Sequence, residues 1–129
     1  MTFTSVKLAA TSFLLAASML TLSVAWAHGA AEPQYGGVVQ TAADLSFELV
    51  STPTGVAVYV LDHNKAYDAS GMQGFVTVLN GAAKSHGPLK FAGGNKLEAT
   101  DIRLDKGAKA VVVVTNNNST AITVRFAFK

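Results

Sequence analysis

The chain has 129 residues, no cysteine, and ten Lys and Arg against eight Asp and Glu. A chain of this length forms one domain of ordinary size. The absence of cysteine excludes a disulfide scaffold, a thiolate metal centre and a cysteine nucleophile.

The N-terminus has the pattern of a secretory leader. A short segment ending in Lys7 precedes an apolar stretch over residues 8–24, and Ala25-Trp26-Ala27 provides a small-x-small cleavage site. We therefore expect residues 1–27 to be a signal peptide and His28 to be the first mature residue. The stretch is shorter than a bilayer span and diluted by Ser and Thr, which disfavours a retained anchor. These features predict export, and the missing disulfides favour the periplasm.

After cleavage the chain carries nine basic and eight acidic residues. Along the sequence the cations are spread out and mixed with the acids, a pattern typical of a solvated surface. Nucleic-acid binding requires a clustered basic face, so no nucleic-acid partner is expected.

The mature chain reads as strands from residue 38 onward, behind a flexible lead-in over residues 28–36. In residues 45–50, Leu45, Phe47 and Leu49 alternate with the other residues and form one apolar face, whereas residues 56–61 are apolar on both faces. The segment Asp62-His63-Asn64-Lys65 is typical of a hairpin turn before a short return strand at 66–68.

The second half continues the same pattern without a helical apolar stripe. Further strands are expected at residues 75–79, 89–91, 96–102, 110–115 and 122–128. About seven or eight short strands in about a hundred residues predict an all-β antiparallel sandwich or small barrel, Ig-like in architecture, over residues 37–129.

Three histidines are the main candidates for chemistry. A mature N-terminus at His28 would offer an α-amine and an imidazole to one metal ion, and such nitrogen donors suit Cu(II), Ni(II) or Zn(II). His63, beside Asp62 in the predicted hairpin, and His86, expected in another loop, would complete a metal site if their loops meet. Each is otherwise an ordinary surface histidine. Other candidate carboxylate ligands are Glu32, Asp44 and Glu48.

Catalytic motifs are missing from the sequence. It contains no G-x-S-x-G and no H-E-x-x-H, and its Gly-Gly pairs are not followed by predicted helices. A non-catalytic protein is therefore expected. Met72 is the only methionine after the leader, so a thioether-based Cu(I) carrier is disfavoured.

Two stretches carry a family resemblance. Residues 35–50, YGGVVQTAADLSFELV, and residues 58–65, VYVLDHNK, resemble small periplasmic proteins of heavy-metal resistance systems. They are also similar to the N-terminal domain of periplasmic adaptor subunits of cobalt–zinc–cadmium efflux pumps. The resemblance implies association with a metal efflux system and no catalysis. Tyr35 stands where that pattern often has histidine.

A looser analogy exists to exported copper-binding β-sandwich proteins that combine an N-terminal histidine with a loop His and Asp. The counterparts here are His28, His63 and Asp62. Two hypotheses follow from the sequence. The first is a periplasmic accessory protein that binds copper or zinc for an efflux system, and the alternative is a metal-free β-sandwich that docks on a protein partner.

Overall fold

The computed structural model describes residues 31–129, and these residues form an all-β domain. Its strands are β1 (Val38–Ala42), β2 (Leu45–Thr52), β3 (Gly55–Asp62), β4 (Lys65–Ala66), β5 (Gln73–Asn80), β6 (Ala83–Phe91), β7 (Lys96–Thr100), β8 (Lys109–Thr115) and β9 (Ala121–Ala127). The predicted signal peptide, residues 1–27, lies outside the described residues. No helix in the described part of the chain is long and apolar enough to cross a bilayer.

The strands form one antiparallel sheet in the order β1-β2-β3-β7-β6-β5-β8-β9, with β4 paired to the end of β3. The two ends of this order, β1 and β9, lie side by side, so the sheet is nearly closed into a barrel. The predicted all-β antiparallel class is therefore confirmed, with the barrel as the form that the sheet takes.

Two hairpins owe their tight loops to residues in the left-handed region. Ala43 and Asp44 join β1 to β2 with φ of 50° and 63°, and His63 and Asn64 join β3 to β4 with φ of 47° and 66°. Two successive positive φ values are the signature of a type I′ turn, whose twist matches that of the flanking strands. The hairpin predicted around His63 is thus confirmed.

The core fills the inside of the curved sheet with aliphatic and aromatic side chains. Inward positions alternate along each strand, as in β8, where Ala110, Val112 and Val114 are buried. Because there are no cross-links, the free energy of unfolding depends on this burial, at about 1.5–3 kcal/mol for each large apolar side chain. Gly74 lets β5 and β8 approach closely, since a Cβ there would lie 1.9 Å from the carbonyl oxygen of Val113.

The sixth strand corrects one prediction. The sequence predicts a strand only at residues 89–91 and a loop at His86, but β6 begins at Ala83 and His86 lies within it. This strand is not apparent from the sequence, because Gly87 and Pro88 are residues that usually interrupt strands. Proline is tolerated here because β6 pairs with β7 only at Lys90 and Phe91. On the side that faces β7, Pro88 therefore has no partner residue to which an N–H group would have to donate.

Candidate functional site

The β3–β4 hairpin presents a histidine whose ring is oriented by a neighbouring carboxylate. The Nδ1 of His63 lies 2.5 Å from an oxygen of Asp62, and their side chains are 89% and 50% exposed. A carboxylate at Nδ1 favours the tautomer with its proton on that atom and leaves the Nε2 lone pair free. Many metal-binding histidines have this arrangement, with an outer carboxylate that orients the ring and raises its basicity.

The turn itself does not require a histidine at this position. A left-handed conformation is easiest for glycine, and asparagine, aspartate and histidine adopt it more often than other residues do. His63 has a φ of 47°, and its side chain is almost fully exposed. The exposed imidazole is therefore accessible to solvent at the tip of the hairpin.

A buried carboxylate fixes the chain segment that precedes the first strand. Glu48 on β2 is fully buried and accepts hydrogen bonds from three main-chain N–H groups, those of Gln34, Tyr35 and Gly37, at 2.8–2.9 Å. A carboxylate has only acceptor oxygens, and three N–H donors satisfy it without a cation. Glu48 is thus committed to holding residues 34–37 and is not free to act as a metal ligand.

The same segment is held from its outer side by aromatic and amide contacts. The ring of Tyr35 stacks on that of Tyr59, with centroids 3.7 Å apart and planes 4° from parallel. The side chain of Asn95 donates to the Tyr35 hydroxyl at 3.3 Å and to the Val60 carbonyl at 3.1 Å. From Gln34 onward, the expected flexible lead-in is therefore tied to the barrel.

One contact places this segment beside the histidine hairpin. The side-chain amide of Gln34 donates to the main-chain oxygen of Asn64 at 3.2 Å, at the tip that also holds His63. His28 lies outside the described residues, but only six positions before Gln34. The described segment that leads into β1 is therefore fixed at Gln34 beside the Asp62–His63 pair.

His86 belongs to a different part of the sheet. On strand β7, Leu97 pairs with both Val58 and Phe91, which places those two residues level. His63 and His86 lie five positions from that level in opposite directions, a separation on the order of 30 Å along the sheet. The Nδ1 of His86 is 2.8 Å from the Thr77 hydroxyl. The described residues bring Asp62 and His63 together and leave His86 apart from them.

The remaining sequence candidates do not join the hairpin pair. Asp44 lies exposed in the β1–β2 turn, and Glu32 is exposed in the segment before β1. Within residues 31–129 there is no group of three or more His, Cys, Asp or Glu side chains placed to hold a metal ion. The sequence did not reveal the role of Glu48, because strand alternation alone put it on the polar face of β2.

The chain was compared with protein-family models, with curated proteins and with solved structures, and no match was found in any of the three comparisons.

Proposed function

We propose that the mature chain is an exported, non-catalytic accessory protein that binds one divalent metal ion, Cu(II) or Zn(II), at the β3–β4 hairpin. His28 would contribute its α-amine and imidazole, and His63 would contribute its Nε2, with Asp62 orienting the ring. The observation that carries this proposal is the contact between Gln34 and Asn64, which tethers the N-terminal segment at the hairpin.

The chemistry of the donors limits which metals fit. Imidazole and amine nitrogens suit Cu(II) and Zn(II), whereas the leader-free chain has no thiolate and only Met72 as a thioether. An exposed ring can bind and release an ion without rearranging the core. Such a site is appropriate for transient capture of metal, and the resemblance of residues 35–65 to heavy-metal resistance proteins suggests an efflux system as the recipient.

Isothermal titration of the protein beginning at His28 with Cu(II) and with Zn(II) tests this proposal. We expect about one equivalent to bind. Asn tolerates a positive φ, so His63→Asn preserves the turn while removing the donor, and it should weaken binding at least tenfold. Asp62→Asn removes the orienting carboxylate and should weaken binding about 10–100-fold.

His86→Asn is the matched control, because it removes an exposed imidazole far from the hairpin. A second variant with one glycine before His28 displaces the α-amine and should also weaken binding. If His86→Asn reduces affinity as much as His63→Asn does, the site does not lie at the hairpin. If neither ion binds more tightly than a millimolar constant, the metal-free docking module is the better account.

A further inference from the structure

The fold separates charges that the sequence mixes. The four strands β5, β6, β8 and β9 contain no Asp or Glu, and they carry Lys84, Lys90, Lys109 and Arg125. In the described part of the chain, the acidic residues all lie on β2, β3 and β7 or outside the strands. One side of the barrel is therefore purely cationic.

Strand register puts these cations on the outer surface, together with exposed apolar side chains. On β5 the inward residues are Val76 and Val78, so Phe75 and Leu79 point outward, and they are 53% and 43% exposed. Leu79 pairs with Lys84 on one side and with Lys109 on the other. Leu79 thus has a cationic cross-strand neighbour on each side.

The remaining outward positions extend the same surface. Phe75 pairs with Pro88 and with Val113, and its ring stacks on that of His86 with centroids 5.3 Å apart. On the far side, Arg125 of β9 pairs with Val111 of β8. We call this outer surface of β5, β6, β8 and β9 the cationic face.

A groove opens at one end of the cationic face. It has a volume of about 640 Å³, and its walls include Met72, Phe75, Pro88 and Phe91. Lys90 is the only charged residue among those that line it. The groove also has Ser70, Gln73 and Thr115 in its lining, but it is mainly apolar. A mainly apolar groove beside a single ammonium group matches a molecule with a hydrocarbon body and an anionic head.

Two acidic residues near the cationic face are paired with cations that lie outside it. Glu98 of β7 pairs with Lys90 across the strands, but its carboxylate lies 3.0 Å from the ammonium of Lys96. At the Leu79 end, Asp105 is engaged by the guanidinium of Arg103. Glu98 and Asp105 are thus each paired with a cation outside the four strands.

We propose that the cationic face docks on an anionic phospholipid surface, with Phe75 and Leu79 entering the headgroup layer and the groove accepting part of an acyl chain. Juxtaposed cations and exposed apolar side chains bind such surfaces through the two attractions together. The apolar groove beside Lys90 favours a lipid over an acidic protein surface, which would supply carboxylates but no hydrocarbon chain. This docking does not depend on metal binding.

The test is co-sedimentation of the mature protein with vesicles in the presence of EDTA, which removes any metal bridge. We expect binding to vesicles that contain phosphatidylglycerol, little binding to pure phosphatidylcholine, and release as salt rises. Lys84→Gln and Lys109→Gln should each lower the partition coefficient about fivefold. Lys65→Gln changes an exposed lysine of β4, outside the cationic face, and should leave binding within about twofold.

Phe75→Ala distinguishes insertion from simple attraction of charges. It should reduce binding severalfold at every salt concentration without changing the salt dependence. Equal binding to the two kinds of vesicle, or equal losses for Lys65→Gln and Lys84→Gln, would overturn the proposal. Absence of binding to anionic vesicles at low salt would also overturn it, and an acidic protein would then be the better partner for the face.

Discussion

The carboxylate of Glu48 is expected to be the most sensitive polar group in the described domain. It is fully buried and accepts three main-chain N–H groups. Hydrogen bonds to a charged acceptor contribute about 1.5–3 kcal/mol each, but the donors of the exposed residues Gln34 and Tyr35 can rehydrate when the acceptor is removed. We therefore expect Glu48→Ala to lower the free energy of unfolding by about 2–4 kcal/mol.

The isosteric substitution Glu48→Gln separates the loss of a hydrogen-bond acceptor from the loss of side-chain volume. In Glu48→Gln the amide oxygen can still accept from Tyr35 and Gly37, which both bond Oε1, whereas the new NH₂ group would face the N–H of Gln34. This variant should lose about 1–2 kcal/mol, between the wild type and Glu48→Ala. For a domain of this size, 1 kcal/mol corresponds to about 4–8 °C in Tm.

Urea denaturation followed by circular dichroism measures both changes, with Glu98→Gln as the control. Glu98 contacts Lys96 at 3.0 Å with both side chains partly exposed, so removing its charge should cost less than about 1 kcal/mol. The segment 34–37 should also loosen in the Glu48 variants, and near-ultraviolet dichroism from the stacked Tyr35 and Tyr59 should decrease. If Glu48→Ala costs no more than Glu98→Gln, then the carboxylate does not hold this segment.

Two further predictions concern the close approach of the backbone at Gly74 and the pKa of the exposed carboxylate of Asp68. Gly74→Ala should lower the free energy of unfolding by at least about 3 kcal/mol in urea denaturation, because its methyl group would lie 1.9 Å from the carbonyl oxygen of Val113. In the control Gly81→Ala the methyl group meets no atom within 4 Å, so only the positive φ should cost stability, about 1 kcal/mol. Hydrogen bonds from the main chain and side chain of Ser70 lower the pKa of Asp68 below its ordinary value of 3.8. Ser70→Ala removes only the side-chain bond, so an NMR titration should show that pKa rising part of the way; an unchanged pKa would contradict this cause. The stabilisation linked to Asp68 is complete above its ordinary pKa and is lost as the pH falls through the lowered value.

Local patterns in the sequence were sufficient to predict the fold class. Alternation and β-branched runs identify most strands, and the turn residues around His63 identify its hairpin, because these signals depend only on neighbours along the chain. Most of strand β6 was not predicted, because it contains Gly87 and Pro88. These residues are tolerated only because β7 pairs with β6 further along, at Lys90 and Phe91. That information belongs to the sheet order, which no local pattern contains.

The candidate site, too, could be predicted from local sequence patterns only in part. The adjacency of Asp62 and His63 is visible in the sequence, but the fixation of the N-terminal segment beside them is not. It depends on residues 34–37 covering the outward side of β2, which buries Glu48 where alternation predicts an exposed acid. The separation of charges is equally hidden, because it arises when β9 pairs with β8 and β8 with β5.

The approach of β1 to β9 has a consequence for how the domain folds. These strands come from opposite ends of the described chain, and β3 must also find β7 across three intervening strands. Such a high contact order requires the loop-closure entropy to be lost before the long-range contacts form, so folding on the millisecond-to-second timescale is expected. A chain that has not yet made its last strand leaves β8 and β1 as open edges, which are templates for intermolecular pairing. We therefore expect a chain truncated before β9 to aggregate more readily than the full chain.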